Sequence, residues 1–185
     1  SATLARGNYL ANHVADCNGC HSARNLSYFG FPEYEDSLGK GGLHFSHDFE
    51  FPGDIYARNI TPTNLGKWSD DQLYHTITTG EDMNHEALFP VMPYTHYRTA
   101  DPEDIRAIIA YIRTLKPQEY QAPAPQIDFP VNLIIRTVPA PATPGKRPEV
   151  SDQLAYGKYM YNLAGCEDCH TPMVKGQFDT TKTLA

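Results

Sequence analysis

The clearest helical pattern in the chain begins at Asp101. Asp101 is a suitable N-cap, Pro102 suits the first helical turn, and the acidic side chains that follow favour the positive end of the helix dipole. Lys116-Pro117 is a typical helix end. Apolar residues recur between these limits at three- and four-residue spacing, which puts them on one face. We therefore predict a helix from 102 to 116 whose buried face carries Ile105, Ile108, Ile109, Ile112 and Leu115.

Two stretches far apart in the chain have nearly the same pattern of apolar and polar residues. Residues 4–10 are Leu-Ala-Arg-Gly-Asn-Tyr-Leu, and residues 154–160 are Leu-Ala-Tyr-Gly-Lys-Tyr-Met. Each pattern predicts an amphipathic helix. A glycine inside a helix reduces its stability, so Gly7 and Gly157 are expected where another helix approaches closely. For Gly7 we expect that neighbour to be Tyr111 of the helix described above.

The segments between these helices are shorter or richer in proline. A short helix is predicted over 69–79, because acidic residues stand in its first turn and Gly80 follows it. Residues 117–150 contain eight of the fifteen prolines and are predicted to form a linker that is extended and stiff in part. The middle of this linker, 131–138, is apolar enough to lie against a domain surface.

All four cysteines lie in two copies of one five-residue pattern, Cys17-Asn18-Gly19-Cys20-His21 and Cys166-Glu167-Asp168-Cys169-His170. Two thiols three residues apart on a helical turn can form thioether bonds to both vinyl groups of one haem, and the adjacent histidine can then ligate the iron. The pattern therefore predicts two covalently bound haem c groups. The expected attachment residues are Cys17, Cys20, Cys166 and Cys169, and the expected axial ligands are His21 and His170.

Three other uses of the cysteines are weaker interpretations. A structural zinc site would need both pairs, yet 145 residues separate Cys20 from Cys166, whereas zinc-ligand pairs usually lie much closer in sequence. A thioredoxin-like dithiol needs a βαβ pattern, which is not seen, and gives neither histidine a role. A disulfide within each pair would be strained and would also leave the histidines without a function.

Composition and charge exclude several classes of binding partner and indicate a cellular location. The formal net charge is −7, so binding to nucleic acid or to anionic lipid headgroups is not expected. Charged and hydrophobic fractions of 20% and 41% are those of a globular protein. No apolar run approaches the ~20 residues that span a membrane, which leaves peripheral membrane association. Haem c is attached outside the cytoplasm, so we expect the periplasm or the outer face of the cytoplasmic membrane.

Five further segments of the first 116 residues carry a family resemblance. They are Lys40-Gly41-Gly42, Arg58-Asn59-Ile60-Thr61-Pro62, Gly66-Lys67-Trp68-Ser69, Pro90-Val91-Met92-Pro93-Tyr94 and Ile108-Ile109-Ala110-Tyr111-Ile112. With the first cysteine motif, they make residues 1–116 resemble a class I cytochrome c domain. More specifically, the chain resembles the cytochrome c subunits of membrane-bound bacterial dehydrogenases of the alcohol and gluconate types. The resemblance implies a mostly α class I cytochrome c fold with tandem haem domains, which relay electrons from a dehydrogenase partner.

The resemblance also implies a distal ligand for the first haem. Met92 is expected in this role, since its thioether is a soft, neutral donor that favours Fe(II) and raises the reduction potential. The alternative is that Met92 is an ordinary core methionine. The other candidate ligands are then Met83, His75, His85 and His96.

Three residues of the same segments are candidates to contact the haem propionates. The guanidinium of Arg58, the amide of Asn59 and the indole N–H of Trp68 are all suitable donors to buried carboxylates. For Trp68, plain core packing is the alternative.

The predicted organisation is a haem domain at 1–116, the linker at 117–150 and the N-terminal part of a second haem domain at 151–185. Nothing after His170 corresponds to the methionine loop or the closing helix, and the last segment is too short to bury an independent core. Met173 follows His170 too closely to reach the opposite face of the ring. We prefer the explanation that the sequence given is incomplete, because half a domain would leave much of a haem face in water. The alternative is a minimal module that holds the second haem against the first domain.

Two functions are compatible with these features. The first is an electron carrier that relays single electrons between a dehydrogenase and a quinone or terminal oxidase, with a dehydrogenase subunit or an oxidase as its redox partner. No catalytic residue is then expected, and the negative charge predicts steering towards a basic partner face. The second is a dihaem peroxidase-like oxidoreductase that uses an open distal site on the second haem.

Overall fold

A computed structural model describes residues 1–174 and 177–182 of the chain. It is rich in helices and has a small sheet, which is compatible with the cytochrome c fold. The helices are α1 (Ala2–His13), α2 (Cys17–His21), α3 (Pro62–Leu65), α4 (Asp70–Thr79), α5 (Tyr94–Tyr97), α6 (Pro102–Ile112), α7 (Val131–Ile134), α8 (Gln153–Leu163) and α9 (Cys166–His170). Short 3-10 helices span Glu35–Ser37, His47–Phe49, Ile135–Thr137 and Thr180–Lys182. The strands are β1 (His44–Phe45), β2 (Gly53–Tyr56), β3 (Gln126–Ile127), β4 (Met173–Val174) and β5 (Gln177–Phe178). The end of the predicted second haem segment, 183–185, lies outside the described residues.

The core forms where α1 packs against α6. Leu10 of α1 is fully buried and belongs to one apolar cluster with the isoleucines of α6. At Gly7 a Cβ atom would overlap the carbonyl oxygen of Ala107 and would lie 3.0 Å from Cβ of Tyr111. The predicted close approach at Gly7 is therefore confirmed. The matching prediction for Gly157 is wrong for the described residues, because a Cβ atom there would meet nothing within 4 Å.

Helix α6 begins where its capping pattern predicts. The Asp101 carboxylate accepts a 2.8 Å hydrogen bond from the Glu103 N–H, and Pro102 occupies the first turn. The regular helix ends at Ile112, earlier than the predicted end at 116. The chain tightens there, since the N–H of Leu115 donates to the carbonyl of Ile112 at 3.1 Å. Leu115 remains buried, as the apolar pattern predicts.

Helix α4 also has the predicted limits, and its end directs the chain towards α5. The Ser69 hydroxyl accepts from the N–H of Gln72, whose side chain accepts from the N–H of Ser69 at 2.8 Å. Gly80 follows the helix with a φ of 81°. The fully buried ring of Tyr94 occupies the space that a side chain at residue 80 would need. This contact holds the start of α5 against the end of α4.

A three-stranded antiparallel sheet was not among the sequence predictions. His44 pairs with Tyr56 between β1 and β2, and Gly53 pairs with Ile127 between β2 and β3. The third strand comes from the proline-rich linker, which is therefore part of the fold rather than only a spacer. Strands of two to four residues are too short to show an alternating pattern in the sequence.

The linker continues along the first domain after this strand. Within its apolar middle, Ile135 is buried, whereas Leu133 and Ile134 are exposed. The Gly145 N–H donates to the Thr99 carbonyl at 3.0 Å, so the last part of the linker follows the segment that leads into α6. The linker therefore brings α8 to the domain at a fixed position.

A buried carboxylate joins α8 and the linker to the core. The side chain of Asp104 in α6 has no exposed surface. Its carboxylate oxygens accept hydrogen bonds from Nε and Nη2 of Arg6 at 3.0 and 2.8 Å. The Tyr159 hydroxyl of α8 donates to it at 2.8 Å, and Arg147 of the linker forms an ion pair with it. Four separate segments of the chain therefore meet at one side chain.

The charges around Asp104 decide its protonation. Burial alone would raise the pKa of Asp104, but the hydrogen bonds from Arg6 and Tyr159 and the positive charges of Arg6 and Arg147 outweigh burial. The pKa of Asp104 is therefore lowered, and the carboxylate is ionised at neutral pH. The same pairing raises the pKa of Arg6 above its ordinary value.

Helix α8 buries little apolar surface of its own. Leu163 is 1% exposed and belongs to the apolar cluster of α1 and α6, and Tyr159 and Met160 pack partly against that cluster. The expectation that the last segment cannot build an independent core agrees with this packing. Within the described residues, α8 depends on the first domain for its position.

We expect Asp104→Asn to reduce the free energy of unfolding by about 2 kcal/mol or more at pH 7, because two arginines lose their carboxylate. The pKa of Asp104 is lowered by folding, so its contribution is complete above its ordinary pKa of ~3.9 and is lost as the pH falls through the lowered value. The difference between wild type and variant should therefore shrink below about pH 4. Urea denaturation of the haem-loaded protein measures it. Asp71→Asn, which breaks an exposed pair with Arg106, is the control. A constant difference down to pH 2 would contradict the account.

Gly7→Ala and Gly157→Ala form a matched pair of substitutions in the two repeated helices. Gly7→Ala should destabilise the protein by about 1–3 kcal/mol, since the added methyl group overlaps the backbone of α6. Gly157→Ala should stabilise it by about 0.5–1 kcal/mol, because the methyl group meets open space and alanine is the better helix former. Urea denaturation tests both, and equal effects of the two substitutions would be inconsistent with this packing.

Candidate haem-attachment site

The first cysteine turn, α2, is held close to the core. Asp16 precedes it in the left-handed region with a φ of 50°, and this residue turns the chain sharply out of α1. Cys17 packs against the apolar cluster of α1 and α6. Gly19 is buried, and a Cβ atom at this position would overlap the carboxylate of Asp16. Both thiols of the turn are free of disulfide bonds.

The ring of His21 is oriented by the backbone. Nδ1 lies 2.6 Å from the carbonyl oxygen of Arg58, so Nδ1–H is the donor and Nε2 carries the free lone pair. Burial lowers the pKa of His21, and the hydrogen bond to the carbonyl opposes burial only in part. The neutral imidazole is the form that binds a metal, and a carbonyl partner on its second nitrogen is the usual support of a ligating histidine. His21 therefore fits the predicted role of axial ligand.

The surroundings of the two thiols disfavour a thiolate metal site. Burial, with the nearby carboxylate of Asp16, raises the pKa of Cys17 to about 12. Burial likewise raises the pKa of Cys20. Neutral sulfur, as in a thioether, fits this environment better than thiolate does. Residues 1–174 and 177–182 contain no group of three or more His, Cys, Asp or Glu that could hold a metal ion.

Arg24 supports the first turn and was missed by the sequence predictions. Its Nε donates to the carbonyl of Gly19 at 2.7 Å, and its guanidinium lies 3.5 Å from carboxylate oxygens of Asp16 and Glu33. Arg24 thus ties the loop after His21 back to the turn itself. The one sequence signal was a basic residue shortly after the motif, which is too common to be interpreted.

Met92 lies in the loop between α4 and α5, where the resemblance placed it. It is partly buried and packs against the same apolar cluster as Cys17. The other candidates have different surroundings: His75 and His85 both pair with Glu81, and Met83 is 39% exposed. His96 is buried, but its Nε2 lies 3.0 Å from the carboxylate of Asp168 in the second cysteine turn. Met92 is therefore the candidate that shares the apolar environment of the first turn, and its role as distal ligand stays a prediction.

The side chains of Arg58 and Asn59 have other partners than those expected. Arg58 serves His21 through its backbone carbonyl, while its half-exposed guanidinium lies 3.8 Å from Asp82. Asn59 is buried, and both amide hydrogens are used by the carbonyls of Gln118 and Tyr120 at 2.8 and 3.1 Å. Its oxygen accepts from the N–H and the hydroxyl of Thr61 at 2.8 and 2.7 Å. Asn59 therefore fixes the loop, and a propionate contact would have to replace one of these bonds.

Trp68 is partly buried against the apolar cluster. Its carbonyl accepts from the guanidinium of Arg113, which also binds Asp70 and the carbonyl of Leu65. Among the described residues no hydrogen bond from the indole N–H is seen. This environment agrees with core packing, the alternative for Trp68, and its propionate contact stays a prediction.

The second cysteine turn, α9, repeats the local geometry of the first. Gly165 precedes it in the left-handed region with a φ of 63°, just as Asp16 precedes α2. The second turn is more open, since Cys169 and His170 are exposed. No partner of His170 is seen among the described residues, in contrast to the carbonyl that orients His21. The side chain of Met173 lies outside the described residues.

The chain is similar in sequence to several bacterial cytochromes. The chain is 30% identical over 183 residues to the cytochrome c subunit of the quinone-type alcohol dehydrogenase of Gluconobacter oxydans, covering 92% of this chain and 35% of that protein. It is 32% identical over 183 residues to the gluconate 2-dehydrogenase cytochrome c subunit of Pantoea cypripedii, covering 92% and 38%. A diheme c-type cytochrome of Cereibacter sphaeroides is 26% identical over 168 residues, covering 84% and 53%. No protein-family model matches the chain.

A helix-rich fold and a Cys-x-x-Cys-His turn whose histidine is oriented by a backbone carbonyl, together with the similarity to cytochrome c subunits, place the chain among the c-type cytochromes. Within it, the chain is homologous over nearly its whole length to the cytochrome c subunits of bacterial alcohol, gluconate and fructose dehydrogenases. This homology implies covalently bound haem c and supports electron transfer as the function. The chain spans little more than a third of the length of these relatives. In the described part of the chain, every helix is too short or too polar to cross a membrane.

Met92→Ala should remove the far-red charge-transfer band that marks a methionine–Fe(III) bond and should lower the potential of one haem, because thioether ligation favours Fe(II). Met83→Ala, at an exposed position in the preceding turn, is the control and should change neither property. Absorption spectroscopy with a redox titration measures both. If the band and both potentials survive in Met92→Ala, the ligand assignment is wrong.

Proposed function

We propose that this chain is a dihaem c-type cytochrome that relays single electrons between a dehydrogenase and a quinone or terminal oxidase. One observation supports this most: the chain contains two Cys-x-x-Cys-His turns of the same local geometry, with all four thiols free. A bound haem c supplies one-electron chemistry. The chain's own residues have to attach the group, orient its ligands, exclude water and keep the two sites close together.

The first site has the residues for these tasks. Cys17 and Cys20 would attach the haem, His21 would be the proximal ligand and Met92 the distal one. The apolar cluster behind Cys17 and Met92 would keep water from one side of the group. Exclusion of water and a thioether ligand both favour Fe(II), so this site should have the higher potential of the two.

The second site would use Cys166, Cys169 and His170. Its turn is more exposed than the first. Helix α8 contacts α5 of the first domain, and a carboxylate oxygen of Asp168 in α9 lies 3.0 Å from Nε2 of His96 in α5. Greater exposure to water stabilises the more highly charged Fe(III) state. Electrons should therefore reside preferentially on the first haem.

The partners follow from charge and from the relatives. The net charge of −7 would steer the protein towards a positively charged partner face, and a dehydrogenase subunit is the partner class that the names of the relatives indicate. Location in the periplasm, with or without peripheral contact to the membrane, agrees with covalent haem attachment. Nucleic acid is not an expected partner of a chain with this charge.

A dihaem peroxidase-like oxidoreductase is the second candidate, and the open surroundings of the second turn, where Cys169 and His170 are exposed, are compatible with it. Such an enzyme needs one iron with an exchangeable distal position. Cyanide or peroxide would then change the spectrum of the second haem and leave that of the first unaltered. An unchanged spectrum supports the electron carrier.

Intact-mass measurement tests the dihaem proposal. The denatured protein should carry two haems per chain, since thioether bonds survive denaturation. Cys166→Ser with Cys169→Ser should remove one haem and leave the methionine–Fe(III) band in place. Cys17→Ser with Cys20→Ser should remove the other haem together with that band. A wild-type chain that matures with a single haem would refute the proposal.

A further inference from the structure

Helix α5 follows the methionine loop and carries a buried histidine that faces the second cysteine turn. His96 is 8% exposed, and its Nε2 lies 3.0 Å from both carboxylate oxygens of Asp168. Asp168 stands inside the second motif, between Cys166 and Cys169. The other ring nitrogen, Nδ1, lies 3.3 Å from the side-chain oxygen of Asn162 in α8.

Helix α5 also contacts the first site. The N–H of His96 donates to the carbonyl of Pro93 at 3.0 Å, directly after Met92. The hydroxyl of Tyr97 donates to the carbonyl of Ala15 at 3.0 Å, just before the first turn. Burial keeps the pKa of Tyr97 well above its ordinary value, so its O–H remains a donor. One turn of helix therefore joins the distal loop, the first cysteine turn and the second.

The packing around His96 is close on the side of the second turn. A Cβ atom at Gly165 would lie 3.2 Å from a carboxylate oxygen of Asp168 and 3.6 Å from Cδ2 of His96. The amide of Asn162 also donates to the hydroxyl of Thr99 at 3.1 Å. We call the group of His96, Asn162 and Asp168 the His96 clasp. Two separate hydrogen-bonded contacts hold this group together: Asp168 with His96 of α5, and Asn162 with Thr99 in the turn after α5.

The place of Asp168 gives this clasp an electrostatic consequence. A carboxylate between the two attachment cysteines stabilises the ferric state of a haem bound there, because Fe(III) carries more positive charge than Fe(II). A histidine that donates to this carboxylate reduces its effect. The two partners should therefore act on the potential of the second haem in opposite directions.

We propose that His96 is a positioning residue that docks the second haem-attachment turn on α5, next to the methionine loop, and, through Asp168, sets the potential of the second haem. The proposal rests on the proposed function, since it requires that α9 carries a haem. Its consequence is that electron flow between the haems depends on a residue that lies in neither Cys-x-x-Cys-His motif.

Redox titration of the haem-loaded protein tests the proposal with four variants. His96→Phe keeps a ring but loses the donor, and it should lower the potential of the second haem. We expect about a tenfold change in the ratio of reduced to oxidised haem, which is about 59 mV for one electron. His96→Gln keeps an N–H donor and should restore the wild-type potential. Asp168→Asn removes the charge and should raise the potential. His44→Phe breaks a 2.7 Å histidine–aspartate pair in the sheet and is the control.

Hydrogen exchange of the amides from 165 to 171 gives a second readout that needs no haem signal. His96→Phe should raise their exchange rates about tenfold, since a hydrogen bond to a charged group is lost. His44→Phe should leave these rates unchanged. Equal exchange in wild type and His96→Phe would overturn the docking role.

Shifts of the same sign in His96→Phe and Asp168→Asn would indicate simple loosening and would overturn the electrostatic role. So would a His96→Gln variant that behaves like His96→Phe. Intact mass separates these outcomes from failure of the proposed function: a wild-type chain with one haem refutes the dihaem cytochrome, whereas two haems with unaltered potentials refute the role of His96.

Discussion

The position of α8 and the linker on the first domain depends on the hydrogen bonds and ion pairs of one buried carboxylate, that of Asp104. Helix α8 buries little apolar surface, and its position is set largely by polar contacts with the first domain. Asp104 connects Arg6 of α1, Arg147 of the linker and Tyr159 of α8, and all of these bonds end on one side chain that is shielded from water. A buried charge is costly unless it is paired, so this site has a strong preference for the single arrangement that pairs it.

The contacts of Asp104 help to fix the position of the second cysteine turn relative to the first. Asp104 holds the middle of α8 on α6 through Tyr159, and the His96 clasp holds the end of α8 on α5. Helix α5 itself is fixed by Tyr94, which packs on Gly80, and by Tyr97, which binds the loop before Cys17. The path from the first turn to the second therefore runs through packed or hydrogen-bonded contacts. Such a scaffold suits electron transfer, because the distance between two redox groups must be kept constant through many cycles.

The residues show where sequence reasoning succeeds and where it fails. The start of α6 and the limits of α4 follow from local rules of capping and were predicted. The close contact at Gly7 was also predicted, from the cost of a glycine inside a helix. Gly157 has the same local sequence, yet its packing depends on what lies opposite, which no local pattern encodes. The bond from His21 to the Arg58 carbonyl and the bonds of Asn59 are long-range and polar, so the type of residue was informative but its partner was not. Asp104 and His96 were hidden for the same reason. A carboxylate in the first turn of α6 and a histidine of α5 gain their roles only from segments that lie more than forty residues away.

The central claim is that both turns carry haem and that the fold holds them as one electron-transfer unit. The most direct test is fast reduction of the fully oxidised protein with less than one electron per chain, followed at wavelengths that separate the two haems. The account predicts that electrons redistribute to the first haem at a rate independent of protein concentration. A redistribution rate that rises in proportion to protein concentration would show that electrons pass between molecules, and it would contradict the account.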